Sequence, residues 1–382
     1  MNSTTDPSPQ YDVIIRGGEI FDGRGGASYQ SDIGIVGDTI EQIGSLRNSR
    51  APVEVDAGGL AVAPGFINML SWGVESLIED GNAESDIFQG VTLEMFGEGV
   101  SMGPWNEKMI DERKKGQGDI KYDITWRSLS EYLDHLVRRG VSCNVASFVG
   151  ATTIRINVLG YEDRAPSPAE LSQMCDLVAT AMEEGAFGVA SALIYAPASY
   201  SKTDELIALA KVAARYGGMY ISHLRSEARA LLEGVEELLE ISRKANVPAE
   251  IYHFKAIGKS NWHKMDRAIK LVEQARAAGQ KITACMYPYV AAATGLDAAM
   301  PTWVQEGGHD DWVSRLRNPE IRARVAEEMK HQAPDWENMF FEAGAENMLL
   351  NAFKSEQLKP LTGKTLAEVA AMRGKSAAET AM

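Results

Sequence analysis

Short hydrophobic runs rich in β-branched residues follow one another near the start of the chain. Four such runs lie between Tyr11 and Gly44, and Gly-Gly, Asp-Gly and Gly-Asp turns separate them. This pattern predicts a small antiparallel β-module over residues 11–62, of the β-sandwich type. The preceding residues 1–10 are polar and are predicted to be disordered.

From Ala61 onwards, strand patterns alternate with helix patterns. The predicted strands are 61–70, 91–96, 142–149, 185–193, 218–224, 249–255 and 281–287. The predicted helices are 128–139, 167–184, 203–216, 228–245 and 265–278. Seven alternating strands favour an α/β fold with a parallel sheet, a (β/α)8 TIM-type barrel whose eighth strand is missing from this chain. An open doubly wound sheet is the alternative, although no Gly-x-Gly-x-x-Gly follows a first strand.

The alternation of strands and helices extends over residues 63–289, which we interpret as the barrel domain. Residues 290–345 are irregular and helix-rich, so we predict that they form an insertion over the active site. Residues 346–382 are predicted to hold late barrel elements, with a strand at 347–353 and a helix at 365–382.

The composition is that of a soluble globular enzyme. Of the 382 residues, 45% are hydrophobic and 24% are charged, and the formal net charge is −15. This charge argues against nucleic acid or an anionic membrane as the main partner, but it does not identify a substrate, because an active site can be locally basic. Three scattered cysteines indicate reduced thiols and a cytoplasmic location. No apolar run approaches the roughly 20 residues of a membrane helix, and the oligomeric state is left open.

Two histidines stand near the carboxyl ends of matching strand patterns. His223 lies in Met219–Arg225 and His253 in Glu250–Lys255, and their spacing (253 − 223 = 30) is about one strand–helix repeat of a parallel barrel. Strand alternation predicts that both side chains point inward, each followed two residues later by a cation. Two imidazoles at the top of adjacent barrel strands predict a divalent metal site. The alternative is that each is an ordinary core or surface histidine.

A carboxylate is predicted to complete the ligand set. Alternation in the second strand puts Glu94 and Phe96 on one face, and Glu98 follows between two glycines. Glu98, His223 and His253 together are a common ligand set for a catalytic zinc, which keeps one position open for water. The alternatives are that Glu98 is not a ligand and that Glu94 is a buried ion-pair partner.

Two cations close to the predicted metal site are candidates for binding the substrate. Lys255 and Arg225 are predicted to hold a substrate carboxylate or to polarise a carbonyl. The alternative for both is a salt bridge with Glu227 or Glu250.

Two tyrosines end predicted strands, Tyr195 the fourth and Tyr287 the seventh. Tyr287 is predicted to stabilise an oxyanion, or else to cap the barrel packing, and Tyr195 is open to the same two interpretations. Cys285 is interpreted as a small core residue, because no Cys-His pairing is evident.

Several of these segments resemble a known family. The β-module leading into Ala63-Pro-Gly-Phe-Ile resembles the amidohydrolase superfamily. Within it, three motifs resemble the N-acyl-D-amino-acid deacylases, or D-aminoacylases: Ser222-His-Leu-Arg-Ser-Glu, Tyr252-His-Phe-Lys and Met286-Tyr-Pro-Tyr. The likeness covers most of residues 11–295.

The resemblance implies a metal-dependent hydrolase in a (β/α)8 barrel that cleaves the amide bond of N-acyl-D-amino acids. In that family the residues matching His223 and His253 bind zinc. The residues matching Lys255, Tyr195 and Tyr287 contact the substrate.

Three departures from the family pattern alter these expectations. Leu70 and Trp72 replace the first-strand His-x-His, which predicts one zinc ion, Zn(2+), rather than two. Glu98 stands where the family has a cysteine ligand, and a carboxylate is a harder ligand. The aspartate that the family places after the eighth strand as general base has no counterpart before Met382. We therefore expect a fragment of a longer enzyme that is inactive by itself.

Two competing hypotheses remain from the sequence. One is a cyclic-amide hydrolase of the dihydroorotase or hydantoinase type, which Leu70 and Trp72 disfavour. The other is a non-catalytic member of the superfamily that binds a ligand. The lost His-x-His and the missing aspartate favour this second hypothesis, whereas the retained facing set of Glu98, His223, His253 and Lys255 disfavours it.

Overall fold

The computed structural model describes residues 10–333 and 335–382. The chain divides into two compact units, a first that ends at Phe66 and a second that comprises Ile67–Met382. Within the described residues, no helix is both long and apolar enough to cross a membrane.

The first unit contains one five-stranded mixed sheet. Its strands are β1 Val13–Ile20, β2 Tyr29–Val36, β3 Thr39–Gly44, β4 Val53–Asp56 and β5 Ala61–Val62. Strands β1, β2 and β3 pair antiparallel, as predicted, but β4 and β5 pair with β1 in parallel. The prediction of a purely antiparallel module is therefore wrong for these two strands. A Cβ at Gly34 would lie 2.5 Å from the Tyr11 ring, so glycine lets this buried ring pack on β2.

The remaining strands form two sheets that follow the chain in order. They are β6 Phe66–Asn68, β7 Val91–Phe96, β8 Asn144–Ser147, β9 Val149–Gly150, β10 Gly188–Ala192, β11 Met219–His223, β12 Ala249–Ile251 and β13 Ile282–Ala284. The first sheet has the order β6-β7-β8 and the second has the order β9-β10-β11-β12-β13. The pair β7–β8 and all neighbouring pairs from β9 to β13 are parallel, which confirms the predicted parallel α/β arrangement.

The last strand of the first sheet, β8, leads into the first strand of the second sheet, β9, through one residue. Only Phe148 separates β8 from β9, and its backbone N–H donates to the carbonyl of Phe96 at 2.9 Å. Among the described residues, β6 and β13 are edge strands, so the predicted barrel is not closed by a hydrogen-bonded pair between them.

Several helices begin where the sequence supplies a side-chain cap. Their bounds are α1 Ser76–Glu79, α2 Glu84–Ile87, α3 Glu107–Gly116, α4 Leu129–Arg139, α5 Ala151–Leu159, α6 Pro168–Glu183, α7 Thr203–Arg215, α8 Leu231–Ala245, α9 Met265–Ala277, α10 His309–Leu316, α11 Pro319–Glu328, α12 Met339–Ala343, α13 Leu366–Arg373 and α14 Ala377–Ala381. Reciprocal capping boxes start α4, with Ser128 and Glu131, and α6, with Ser167 and Glu170. These helix starts agree with the predicted ones to within three residues.

Strands β10 and β11 are apolar on both faces, as expected for a parallel sheet covered by helices. Val189 and Tyr220 face the helices and belong to the largest apolar cluster. Ala190 and Ile221 face the other way and pack in a second cluster with Tyr252. This inner face is the one that positions the candidate site.

The later part of the chain packs around an apolar cluster of its own. Val304, Val325 and Met329 from the predicted insertion share this cluster with Leu366 and Ala378. Residues 290–345 and 346–382 therefore pack together.

Two predicted elements of the last segment are wrong. The predicted strand at 347–353 is reduced to a single bridge between Leu349 and Thr365. The predicted helix at 365–382 is broken in two because Gly374, at φ +62°, ends α13, and Ser376 caps α14.

Candidate metal centre

The three predicted ligands lie together at the carboxyl ends of the strands. Glu98 Oε1 is 3.1 Å from His223 Nδ1 and 3.2 Å from His253 Nε2. All three side chains are buried, and one ligand atom from each falls within 4.8 Å of the others. The cluster therefore offers one carboxylate oxygen and two ring nitrogens to a single point, which fits a divalent metal.

Glu98 reaches the cluster by a route that strand alternation did not predict. Met95 packs on the inner face, whereas Glu94 and Phe96 lie on the side of the helices, so the predicted phase of β7 is wrong. Glu94 accepts hydrogen bonds from Ser71 and Cys143 rather than facing the centre.

Two glycines turn the backbone of Glu98 inward after β7. Gly97 has a φ of +102°, and Gly99 has a φ of +67°. A Cβ at Gly97 would lie 2.3 Å from the carbonyl oxygen of Phe148. Only glycine fits this close passage, and the turn brings Glu98 to the centre.

His223 and His253 arrive differently. His223 ends β11 on the same face as Ile221, as alternation predicts. Strand β12 ends early, at Ile251, and Ile251 itself packs on the helix side. His253 follows in a turn with a φ of +36°, which is strained for a residue with a Cβ. The predicted strand to residue 255 is therefore too long, and the turn brings His253 inward.

Glu227 is the site residue that the sequence considered only as a salt-bridge partner. It is 1% exposed, and its Oε1 lies 2.8 Å from His253 Nδ1. Its Oε2 lies 3.7 Å from His223 Nε2 and 2.6 Å from Lys255 Nζ. One sequence signal for Glu227 was available: it stands four residues after His223, in the loop that follows β11.

The acidic and imidazole groups shift one another's titration. Burial by itself would raise the pKa of Glu98, but hydrogen bonds from His223 and His253 hold that pKa down at about 2. Burial would lower the pKa of His253, but hydrogen bonds to Glu227 and Glu98 raise it to about 9. Burial also opposes ionisation of Glu227, yet the neighbouring charge on His223 and the hydrogen bond from His253 keep its pKa lowered. The side chains therefore form a compensated cluster of buried charges.

The donor set fits a metal cofactor. His223 Nε2 is buried and has no hydrogen-bond partner among the described residues, while its Nδ1 faces Glu98. The ring nitrogens of His223 and His253 that face Glu98 are the ones positioned to ligate. A zinc ion takes such oxygen and nitrogen ligands.

The two residues that replace the first-strand His-x-His, Leu70 and Trp72, make different contacts. Trp72 Nε1 donates a hydrogen bond to Glu98 Oε2 at 3.0 Å, so the indole holds the carboxylate oxygen that does not face the histidines. Leu70 packs against the inner apolar cluster. Neither side chain offers a metal ligand.

Both predicted substrate cations already have anionic partners. Arg225 forms a bidentate pair with Glu237, at 2.8 and 2.9 Å, and also donates to the carbonyls of Ser199 and Ser201. Lys255 pairs with Glu227, which is the alternative that the sequence left open. The hydrogen bonds of Arg225 therefore hold the loop that contains Ser199 and Ser201, and Lys255 belongs to the buried charged cluster.

Two tyrosine rings flank the histidines. The Tyr195 ring centroid is 5.5 Å from that of His223, and its hydroxyl lies 2.7 Å from Thr294 Oγ1. The Tyr287 ring centroid is 6.3 Å from that of His253 and 5.6 Å from Lys255 Nζ. Burial raises the pKa of both phenols, so both are hydrogen-bond donors at neutral pH.

Comparison with known proteins relates the chain to characterised deacylases. No protein-family model matches the chain. The D-aminoacylase of Alcaligenes xylosoxydans xylosoxydans is 32% identical over 299 residues, which are 77% of this chain and 60% of that protein. The chain spans about three fifths of the length of the curated relatives it matches.

Solved structures show the same likeness. A D-aminoacylase described as defining a novel subset of amidohydrolases has a TM-score of 0.75 at 27% identity, covering 97% of this chain and 69% of that chain. The N-acyl-D-glutamate deacylase of Bordetella bronchiseptica, solved with zinc and a phosphonate inhibitor, has a TM-score of 0.75 at 25% identity over the same shares.

Proposed function

We propose that this chain, which belongs to the D-aminoacylase family of amidohydrolases, is part of a metal-dependent hydrolase of N-acyl-D-amino acids. The products are a D-amino acid and a carboxylate. The proposal rests above all on the meeting of Glu98, His223 and His253 at one buried point. A cytoplasmic location is proposed from the sequence alone.

The proposed cofactor is one zinc ion held by Glu98 Oε1, His223 Nδ1 and His253 Nε2. When bound, zinc supplies Lewis acidity, lowering the pKa of water and polarising the scissile carbonyl. A single ion is favoured because Leu70 and Trp72 provide no ligand atoms for a second one.

The surrounding side chains of this chain would bind and orient the substrate. Tyr287 is proposed to donate to the oxyanion that forms at the carbonyl, and Tyr195 to contact the acyl-amino acid from the other side. Lys255 is proposed to contact the substrate while staying paired with Glu227. The contacts of Arg225 with Glu237 do not support its predicted role as a carboxylate clamp.

The proposal is tested by metal analysis of the purified chain and by hydrolysis assays on the full-length protein. We expect one zinc per chain, and we expect the full-length protein to hydrolyse N-acetyl-D-amino acids in preference to their L-enantiomers and to hydantoins. The His223→Ala variant is expected to lose both zinc and turnover, whereas His331→Ala, at an exposed position after the end of α11, keeps both. A wild-type chain that binds no zinc, or that hydrolyses hydantoins in preference, contradicts the proposal.

A further inference from the structure

We propose that Glu227 is a positioning residue that selects which nitrogen of His253 faces the metal, and that Glu337 anchors Glu227 for this role. The inference rests on the proposed metal site and goes beyond it. It assigns a function to two buried carboxylates outside the ligand set.

Each of the two histidines lies between two carboxylates. Glu98 Oε1 faces His223 Nδ1 and His253 Nε2, as described above. On the far side of the rings, Glu227 faces the remaining nitrogens, at 3.7 Å for His223 and 2.8 Å for His253. At His253 the carboxylate is close enough to accept the N–H of a ligating imidazole, which fixes the tautomer and the ring orientation. The 3.7 Å to His223 Nε2 is too long for a hydrogen bond.

Lys255 makes the choice of tautomer matter. Its Nζ lies 2.9 Å from His253 Nδ1, the same nitrogen that faces Glu227. An ammonium has no lone pair, so it approaches Nδ1 only as a donor. If Lys255 donated there, the proton of neutral His253 would move to Nε2 and block the nitrogen that faces Glu98.

Glu227 resolves this competition. Its Oε1 lies 2.8 Å from His253 Nδ1, where it can accept an N–H, and its Oε2 lies 2.6 Å from Lys255 Nζ. The carboxylate therefore gives the ammonium an anionic partner and keeps the proton on Nδ1. Nε2 of His253, which faces Glu98, is then the nitrogen that can give up its proton and offer a lone pair to a metal.

Glu337 fixes the loop that carries Glu227. Its Oε1 accepts the backbone N–H of Glu227 at 2.8 Å, and its Oε2 accepts the hydroxyl of Ser226 at 2.7 Å. Glu337 is 7% exposed, and its neighbour Asn338 donates to the carbonyls of Met329 and His331. The segment predicted only as a cover over the site thus holds the backbone of Glu227.

The first test measures zinc affinity by competition with a chromophoric chelator in the full chain. Glu227→Ala is expected to weaken zinc binding about 10–100-fold, the range for the loss of an outer partner of a ligand. Glu236→Ala, at an exposed position on α8, is the matched control and keeps wild-type affinity. Circular dichroism checks that each variant is folded, and Glu227→Gln replaces the alanine variant if that variant does not fold.

A double variant separates tautomer selection from a merely structural role. Removing the competing donor in Glu227→Ala/Lys255→Met is expected to restore part of the lost zinc affinity. A general loss of packing predicts a further fall instead. Nitrogen-15 NMR of the neutral imidazoles is expected to show the proton on Nδ1 in the wild type and on Nε2 in Glu227→Ala.

The anchor is tested separately. Glu337→Ala is expected to speed hydrogen exchange at the Glu227 amide and to weaken zinc binding by less than Glu227→Ala does. Glu306→Gln, an exposed glutamate in the same segment, is expected to change neither.

The outcomes distinguish this inference from the proposed function. Wild-type zinc affinity in a folded Glu227→Ala chain, or no recovery in the double variant, overturns the role of Glu227 while leaving the metal site standing. Faster amide exchange in Glu337→Ala with unchanged zinc affinity overturns the anchor alone. A wild-type chain without zinc affinity refutes the proposed function itself.

Discussion

The two ends of the parallel strands in the second unit carry opposite kinds of side chain. At the carboxyl ends lie the paired charges of Glu98, Glu227, His223, His253 and Lys255. At the amino ends lies an open cleft of about 640 Å³, lined largely by apolar side chains. These include Ile67, Met69, Leu93, Met95, Phe187, Met219, Pro248 and Ile282.

Two buried glutamates, one at each end of the strands, show how this difference changes the pKa of a carboxylate. Glu98 and Glu250 are both buried glutamates on or beside inner strands. Two imidazoles hold the pKa of Glu98 down at about 2, against the effect of burial. Burial raises the pKa of Glu250, which accepts a hydrogen bond from Thr283 but forms no ion pair with a described residue. The presence of charged partners, rather than depth, decides whether the pKa of a buried carboxylate is lowered or raised.

The strongest way to test the comparison is to add and remove zinc. Zinc at 1,000 times its dissociation constant is expected to stabilise the chain by about 4 kcal/mol, because only the folded state holds the three ligands together. Thermal melts with zinc and with excess chelator measure the difference. In His253→Ala the two melting curves should coincide, and a cleft variant such as Met219→Leu should keep the wild-type difference. Stabilisation by zinc in both variants alike would place the ion elsewhere.

A smaller effect is expected from the indole that holds Glu98. Trp72→Phe removes the hydrogen bond to Glu98 Oε2. The expected loss of zinc affinity is less than about 10-fold, because Trp72 is 62% exposed and water can replace its N–H as donor. The same chelator competition measures it. Trp262→Phe, which alters an indole of similar exposure, is the control. A loss as large as that of a ligand variant would mean that Trp72 does more than orient one oxygen.

The smallest effect is expected at the cleft and concerns pH. Because the folded pKa of Glu250 lies above its unfolded value, the stability that the protonated acid contributes is complete below the unfolded pKa. That contribution is lost as the pH rises through the raised folded pKa. Glu250→Gln should therefore remove this decline and unfold at higher denaturant concentration than the wild type at neutral pH. Denaturant titrations from pH 4 to pH 8 test this, and parallel curves for the two proteins would contradict it.

Local patterns in the sequence predicted the elements well. The strand at 91–96 and the helices that begin at Ser128 and Ser167 agree with the structure closely, because periodicity and capping depend on neighbours in the chain. His223 was also predicted in the correct phase, since β11 is regular up to that residue. Errors of phase arose at β7 and β12, where a glycine turn and a positive φ change the direction of the next side chain.

The sequence alone determined the parallel α/β architecture and the two histidines one repeat apart. It also named Glu98 as the third member of their cluster, although by a strand phase that the structure contradicts. Hydrophobic periodicity and motif spacing are local properties, so they can be recognised in a single sequence without its structure. Only the tertiary structure decided that Arg225 pairs with Glu237, that Glu227 lies behind both imidazoles, and that Glu337 holds the backbone of Glu227 from 110 residues away. Such contacts join residues far apart in sequence, and their distances depend on how the whole unit packs.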